Sequence, residues 1–148
     1  MSISYDLFAE SFLDKISEFD FLQIPEEDRN KIIDRYMRKA ISTFKNCPYD
    51  LISNSDNENR VFNIDIEASE LTDIVNIVSE GMVVEWLKPY VYKQELLENN
   101  LNTRDFTTYS SEGLLNRVRS VYESTQKEFK QLKYDYSYAV GKLGDLHL

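Results

Sequence analysis

Leu71-Thr-Asp-Ile-Val-Asn-Ile-Val-Ser-Glu-Gly-Met-Val-Val-Glu-Trp-Leu-Lys-Pro89 is the stretch on which the fold of this chain turns. Leu71, Ile74, Val75, Val78 and Met82 recur at helical i, i+3, i+4 spacing and make one apolar stripe. Ile77, Val83, Val84, Trp86 and Leu87 spread apolar surface around most of the remaining circumference. A helix that is apolar nearly all round is buried on several sides. Asp73, Asn76, Ser79, Glu80 and Glu85 interrupt the run too often for it to cross a bilayer. The stretch therefore predicts the central helix of a small all-helical domain, starting between Glu67 and Ser69 and stopped or kinked at Pro89.

The flanking segments supply partners for that helix. Ser4 is suited to cap a first helix, with Asp6 and Glu10 near its positive end and Phe8, Phe12, Leu13 and Ile16 on its inner face. Pro25 fits the first position of a second helix, with Glu26, Glu27 and Asp28 in its first turn. Its inner face runs through Ile33, Tyr36, Met37, Ala40 and Phe44, and Pro48 forbids continuation. Between Asn46 and Asp65 the chain turns polar, which predicts an exposed loop. Phe62 to Ile66 alternates apolar and polar residues, as a short strand or an extended lead-in would.

Tyr90 to Glu98 can resume the helix, and residues 99 to 109 form a second connector in which Phe106 to Tyr109 are β-prone. Ser110 or Ser111 caps a last helix with the stripe Leu114, Val118, Val121, Tyr122, Thr125, Phe129 and Leu132. After Lys133 the spacing becomes period 2 in Tyr134-Asp-Tyr136-Ser-Tyr138, then Gly-spaced. The expectation is a bundle of about four main helices over residues 1–133, with extended connectors, and an extended C-terminal arm over 134–148.

Composition excludes several function classes. At 148 residues the chain fits one domain able to bury a core without staples. Four Gly and three Pro disfavour a turn-rich sandwich or barrel. The single Cys47 rules out an intramolecular disulfide and disfavours a thiolate metal cluster. With acidic Asp6 and Glu10 where a secretion signal would be basic then apolar, synthesis in the cytoplasm is expected. A net charge of −9 argues against a face that grips nucleic acid, because such affinity rests on Lys and Arg.

Chemistry-bearing constellations are scarce. His147 is the sole histidine and sits one residue from the last, where a general base has no framework. Cys47 follows a helix C-terminus, whose negative end raises a thiol pKa. Asn54, Asp56, Glu58 and Asp65 echo a calcium loop, but Asn59 stands where the sharp turn needs Gly and Asp65 where a bidentate Glu is needed. Glu26 and Glu27 are explained as partners of a helix dipole. The expectation is a protein without cofactor or metal and not an enzyme.

Gly81-Met-Val-Val-Glu-Trp-Leu-Lys-Pro89 is similar to the Met-Val-Val-Glu-Trp-Leu-Lys-Pro helix end of the head–tail connector proteins of tailed bacteriophages, also called head-completion or adaptor proteins. Phe19-Asp-Phe-Leu22 with Pro25-Glu-Glu-Asp-Arg29, Asp105-Phe-Thr-Thr-Tyr-Ser110, the charged helix 113–133 and the Tyr-rich 134–138 extend that resemblance. The polar loop at 54–60 and the Gly-containing extension after Tyr138 depart from it. The resemblance implies a protomer of a ring, twelve-fold in the family, in the virion neck beneath the portal protein. Such a ring extends the DNA channel, lets DNA pass without specific binding, and joins head to further neck or tail proteins.

On that reading Tyr134, Tyr136, Tyr138, Leu143 and Leu146 would dock on the portal or a neighbouring ring. Asp56, Glu58, Arg104, Phe106 and Tyr109 would make inter-subunit or next-ring contacts. No membrane partner is expected. The competing class is a small acidic phage regulator that binds a host protein through exposed aromatics.

Overall fold

The structure is a computed structural model that describes residues 2–17, 28–92 and 111–145. Four helices dominate it: α1 (Tyr5–Ile16), α2 (Arg29–Thr43), α3 (Ala68–Tyr92) and α4 (Ser111–Asp145). As the apolar circumference of 71–89 predicts, α3 is the hub against which α1, α2 and α4 all pack. Ile74, Val78, Met82 and Leu87 are fully enclosed, and Trp86 is 1% exposed. A mostly helical bundle around a buried central helix is what the structure shows.

Each helix forms where its residues favour one. Ser4 caps α1 by accepting the Asp6 backbone N–H at 3.1 Å, which satisfies one of the first-turn donors that lack an intrahelical partner. Tyr5, Phe8 and Phe12 then enter the core on one face. The expected first turn of α2 at Pro25, Glu26 and Glu27 lies outside the described residues; the helix is entered through Asp28 in the left-handed region (φ 59°). Ile33, Met37, Ala40 and Phe44 are buried from it, as their spacing predicts.

Gly81 marks the crossing of three helices. A Cβ there would stand 2.6 Å from Phe129 Cζ and 2.9 Å from Ala40 Cβ, so α4 and α2 approach α3 closely because this residue has no side chain. At the opposite flank of the hub, the Ser11 and Ser79 hydroxyls lie 2.8 Å apart, joining α1 to α3 through a pair of small polar residues. Lys15 reinforces that seam, donating to Asn76 at 2.8 Å and pairing with Glu80 at 3.0 Å.

Of the two outcomes expected at Pro89, a stop is excluded: Pro89 sits inside α3 and the helix continues to Tyr92. Pro89 forfeits its hydrogen bond to Glu85, but Leu87 just before it is enclosed and Tyr90 and Val91 after it pack on the core, so tertiary burial carries the turn across.

The expected extended C-terminal arm, by contrast, is overturned. Tyr134 to Asp145 continue α4 without interruption, and no structural break falls at Lys133. Tyr136 prolongs the stripe of Val118, Tyr122, Thr125 and Phe129 by helical steps, so continuing a formed helix buries one more ring. Period-2 tyrosines also occur in helices, and here the helix wins.

A small sheet appears where the sequence showed at most one strand. β1 (Ile3–Ser4), β2 (Ser55–Asp56) and β3 (Val61–Phe62) form an antiparallel sheet in the order β1-β3-β2. Ile3 faces Phe62 across β1–β3, and Ser55 faces Phe62 across β2–β3. The polar loop at 54–60 is thus the turn of a β2–β3 hairpin. Phe62 is its inward anchor, with its ring centroid 4.6 Å from Tyr5 and 5.5 Å from Phe8. The possible strand at Phe106 to Tyr109 lies outside the described residues.

Candidate interaction surfaces

The three tyrosines singled out in the sequence do not share a face. A helix advances 100° per residue, so Tyr134 and Tyr138 lie together and Tyr136 lies nearly opposite. Tyr134 is 64% and Tyr138 59% exposed, their rings stacked with centroids 6.4 Å apart. Tyr136 is 9% exposed and packs edge-on against Phe44 at 5.5 Å. Leu143 lies in the last turns of the α4 backbone. Leu146, Arg104, Phe106 and Tyr109 fall outside the described residues.

Antiparallel packing sets where this end of α4 projects. Tyr122 meets Tyr92 near the end of α3, Phe129 meets Gly81 midway, and Tyr136 feels the charges of Glu70 and Asp73 near its start. Nine further helical residues follow Tyr136, about 13 Å at 1.5 Å per residue. The C-terminal turns of α4 therefore extend past the first turn of α3.

Asp56 and Glu58 occupy the hairpin. The Asp56 carboxylate accepts the backbone N–H groups of Glu58 and Asn59, each at 3.1 Å, and the Asn59 side-chain amide at 2.8 Å. Those donors, Asn59 foremost, hold its pKa below the ordinary carboxylate value. No cluster of three or more His, Cys, Asp or Glu able to hold a metal exists among the described residues.

The hairpin is tied down by a residue that sequence reading passed over. Arg60, in the left-handed region (φ 55°), accepts the Tyr5 backbone N–H at 3.0 Å through its carbonyl. Its guanidinium donates to both carboxylate oxygens of Asp34, at 2.8 and 2.9 Å, and to Asp6 at 2.7 Å. One side chain thus joins the hairpin to α1 and α2. Because Asp34 lies 26 positions and Asp6 54 positions away in sequence, no local pattern announces the triad.

Cys47, Tyr49, Glu70 and Tyr136 converge beside the C-terminus of α2. Burial pushes the Cys47 thiol up, away from the reactive thiolate. Tyr49 donates to the Glu70 carboxylate, and that bond raises its pKa. Burial, then the nearby Glu70 charge, pushes Tyr136 up to about 12, and its enclosed hydroxyl has no hydrogen-bond partner among the described residues.

Among the described residues, open grooves mark the surface. One of about 500 Å³ runs between α1 and α3, lined by Leu7, Ser11, Leu71, Thr72, Val75 and Asn76, with Asp73 at its edge. Another, of about 350 Å³, lies between the end of α2 and the following loop, beside Phe44, Cys47, Pro48 and Ile52. No helix among the described residues is long and apolar enough to cross a membrane. Comparison with family models, curated proteins and solved structures finds no match to the chain.

Proposed function

We propose that this chain is a structural adaptor of a tailed bacteriophage, a ring-forming protomer beneath the portal protein that extends the DNA channel and joins head to tail. The observation that carries the reading is the role of the Met82–Pro89 segment through which the chain resembles head–tail connectors. Met82, Val83, Val84, Trp86 and Leu87 are all buried, so the shared residues are the packing hub of a bundle. A resemblance seated in the hub bears on the whole architecture rather than on one surface loop.

Two further features support it. The stacked Tyr134–Tyr138 pair stands exposed on α4, on the side opposite Tyr136, where a partner can reach it. Tyrosine suits docking because its ring buries area while its hydroxyl stays hydrogen-bonded. The acidic balance of −9 suits a channel element that phosphate backbones pass without being held.

The exposed tyrosine pair would equally serve a small acidic regulator binding a host protein. Fractionation of infected cells separates the two readings. An adaptor co-sediments with DNA-filled heads and appears as a ring in a reconstruction of the neck; a regulator stays in the soluble fraction bound to a host protein, which would overturn the proposal.

A further inference from the structure

Charge is distributed unevenly over this acidic chain. Between residues 113 and 139 the basic residues outnumber the acidic ones, five to three, although the whole chain carries −9. On α4, Lys127, Lys130, Tyr134 and Tyr138 fall at steps of three and four and share the side turned away from Val118, Tyr122, Phe129 and Tyr136, which face the core. The result is a ridge in which exposed Glu123 stands one turn before Lys127, and the two ammonium groups of Lys127 and Lys130 lead to two stacked, exposed phenol rings.

The groove between α1 and α3 has the opposite character. Leu7, 42% exposed, stands over Leu71 and Val75 and gives it an apolar floor open to solvent. Glu10 and Asp14 lie on the same side of α1 as Leu7, at i+3 and i+7, and both are exposed. Asp73 closes the α3 edge. Lys15 adds little positive charge here, because Glu80 pairs with it at 3.0 Å.

An apolar slot rimmed by carboxylates and an aromatic ridge bearing ammonium groups are complementary, and they sit on different elements of one chain. We propose that the α4 ridge of one copy docks in the α1–α3 groove of a second copy, Tyr134 and Tyr138 entering between Leu7 and Val75 while Lys127 and Lys130 meet Glu10, Asp14 and Asp73. The contact uses two different faces, so it is head-to-tail: every copy keeps one free ridge and one free groove. Such contacts propagate until they close into a ring. The biological setting of the contact rests on the adaptor reading, but the contact itself is a property of the isolated chain.

The test is sedimentation velocity of the full chain across a concentration series at low and high salt, with two surface variants. Ridge variant Tyr134→Ser/Tyr138→Ser/Lys130→Glu and groove variant Leu7→Lys change exposed side chains, and matched circular dichroism and melting curves check that both fold. Should Leu7→Lys melt early, Asp14→Lys replaces it. Wild type is expected to associate, and high salt to weaken it, since exposed charges are screened.

The groove variant alone is expected to associate about tenfold more weakly, the loss of one anchoring contact, and the triply substituted ridge variant more weakly still. Mixing the two restores one intact ridge facing one intact groove, so the mixture should stop at a one-to-one dimer. Self-association of the groove variant at wild-type strength would mean ridge meets ridge and overturn the proposal. So would a monomeric wild type, or a ridge that instead binds single-stranded nucleic acid with groove and ridge variants showing no complementation. Head co-sedimentation reports on the adaptor reading separately: loss of one result leaves the other standing.

Discussion

Arg60 and Asp34 face each other fork to fork, with Nε and one terminal nitrogen of the guanidinium donating to the two carboxylate oxygens at 2.8 and 2.9 Å. The Asp34 side chain is only 10% exposed, while Arg60 reaches it from a backbone held in the left-handed region. Paired hydrogen bonds satisfy a charge that would be costly to bury alone. This pair fastens the hairpin to α2, while Phe62 packs it against Tyr5 and Phe8 of α1.

Arg60→Ala should therefore destabilise the fold by about 3 kcal/mol, because it leaves the Asp34 carboxylate enclosed without its partner. Urea denaturation measures this. Asp34→Asn in the same background should recover part of the loss by removing the orphaned charge; a further loss of equal size would show that the two residues act independently.

Gly81→Ala tests the three-helix crossing. Alanine is the better helix former by about 1 kcal/mol, yet its Cβ would meet Phe129 Cζ at 2.6 Å and Ala40 Cβ at 2.9 Å. Overpacking should win, with a net loss of about 1–3 kcal/mol. Adding Phe129→Leu, which removes the encroaching ring edge, should make the pair less destabilised than the two single changes summed, read from a double-mutant cycle of thermal melts.

Tyr136→Phe should stabilise the protein by about 1 kcal/mol, because it removes an enclosed hydroxyl without a partner among the described residues and keeps the ring against Phe44. The same residue carries a pH signature. Burial disfavours the phenolate and pushes its pKa from 10.0 to about 12, so its contribution to stability is whole below pH 10 and is lost as pH rises toward 12. Tyr36 and Tyr122 are raised to about 12 for the same leading reason, so alkaline unfolding should begin above pH 10 and Tyr136→Phe should soften but not abolish it.

Asp56 should give the hairpin an acid sensitivity of the opposite sign. Its pKa is lowered from 3.8 by the Asn59 backbone N–H, the Asn59 side chain and the Glu58 N–H. The contribution is complete above pH 3.8 and disappears as the pH falls through the lower folded-state value. Amide exchange at Glu58 and Asn59 should speed up across that window while Ile74 and Val78 stay protected; a uniform change would assign the effect to global unfolding.

Truncation after Lys133 should lower the melting temperature, since it strips Tyr136 from the core and costs about 3 kcal/mol, the scale of deleting a buried aromatic. Truncation after Ala139 retains that ring and should melt close to the full chain. If the longer truncation still co-sediments with heads as well as the intact protein does, the last turns of α4 are not the docking element and the exposed Tyr134–Tyr138 pair, which it retains, becomes the focus.

Local spacing was enough to place most of the helical length, though not the last turns of α4, because helix formation and amphipathic patterning are local. Phe8 and Phe12, Ile33, Met37, Ala40 and Phe44, and Ile74, Val78 and Met82 recur at helical spacing and are buried where that spacing puts them, while Leu71 and Val75 of the same stripe are only partly buried. Ser4 was legible as a cap for the same reason: it and Asp6 are two residues apart. Tertiary structure alone decided three other matters. The sheet joins Ile3 to Phe62, a pairing whose strands are each two residues long and too short to show a period. The Arg60 triad depends on carboxylates from two helices remote in sequence. The sorting of Tyr136 inward and Tyr134 and Tyr138 outward followed from helix continuing where alternation suggested strand, because Phe44 and the start of α3 offered Tyr136 a surface that no neighbour in sequence could announce.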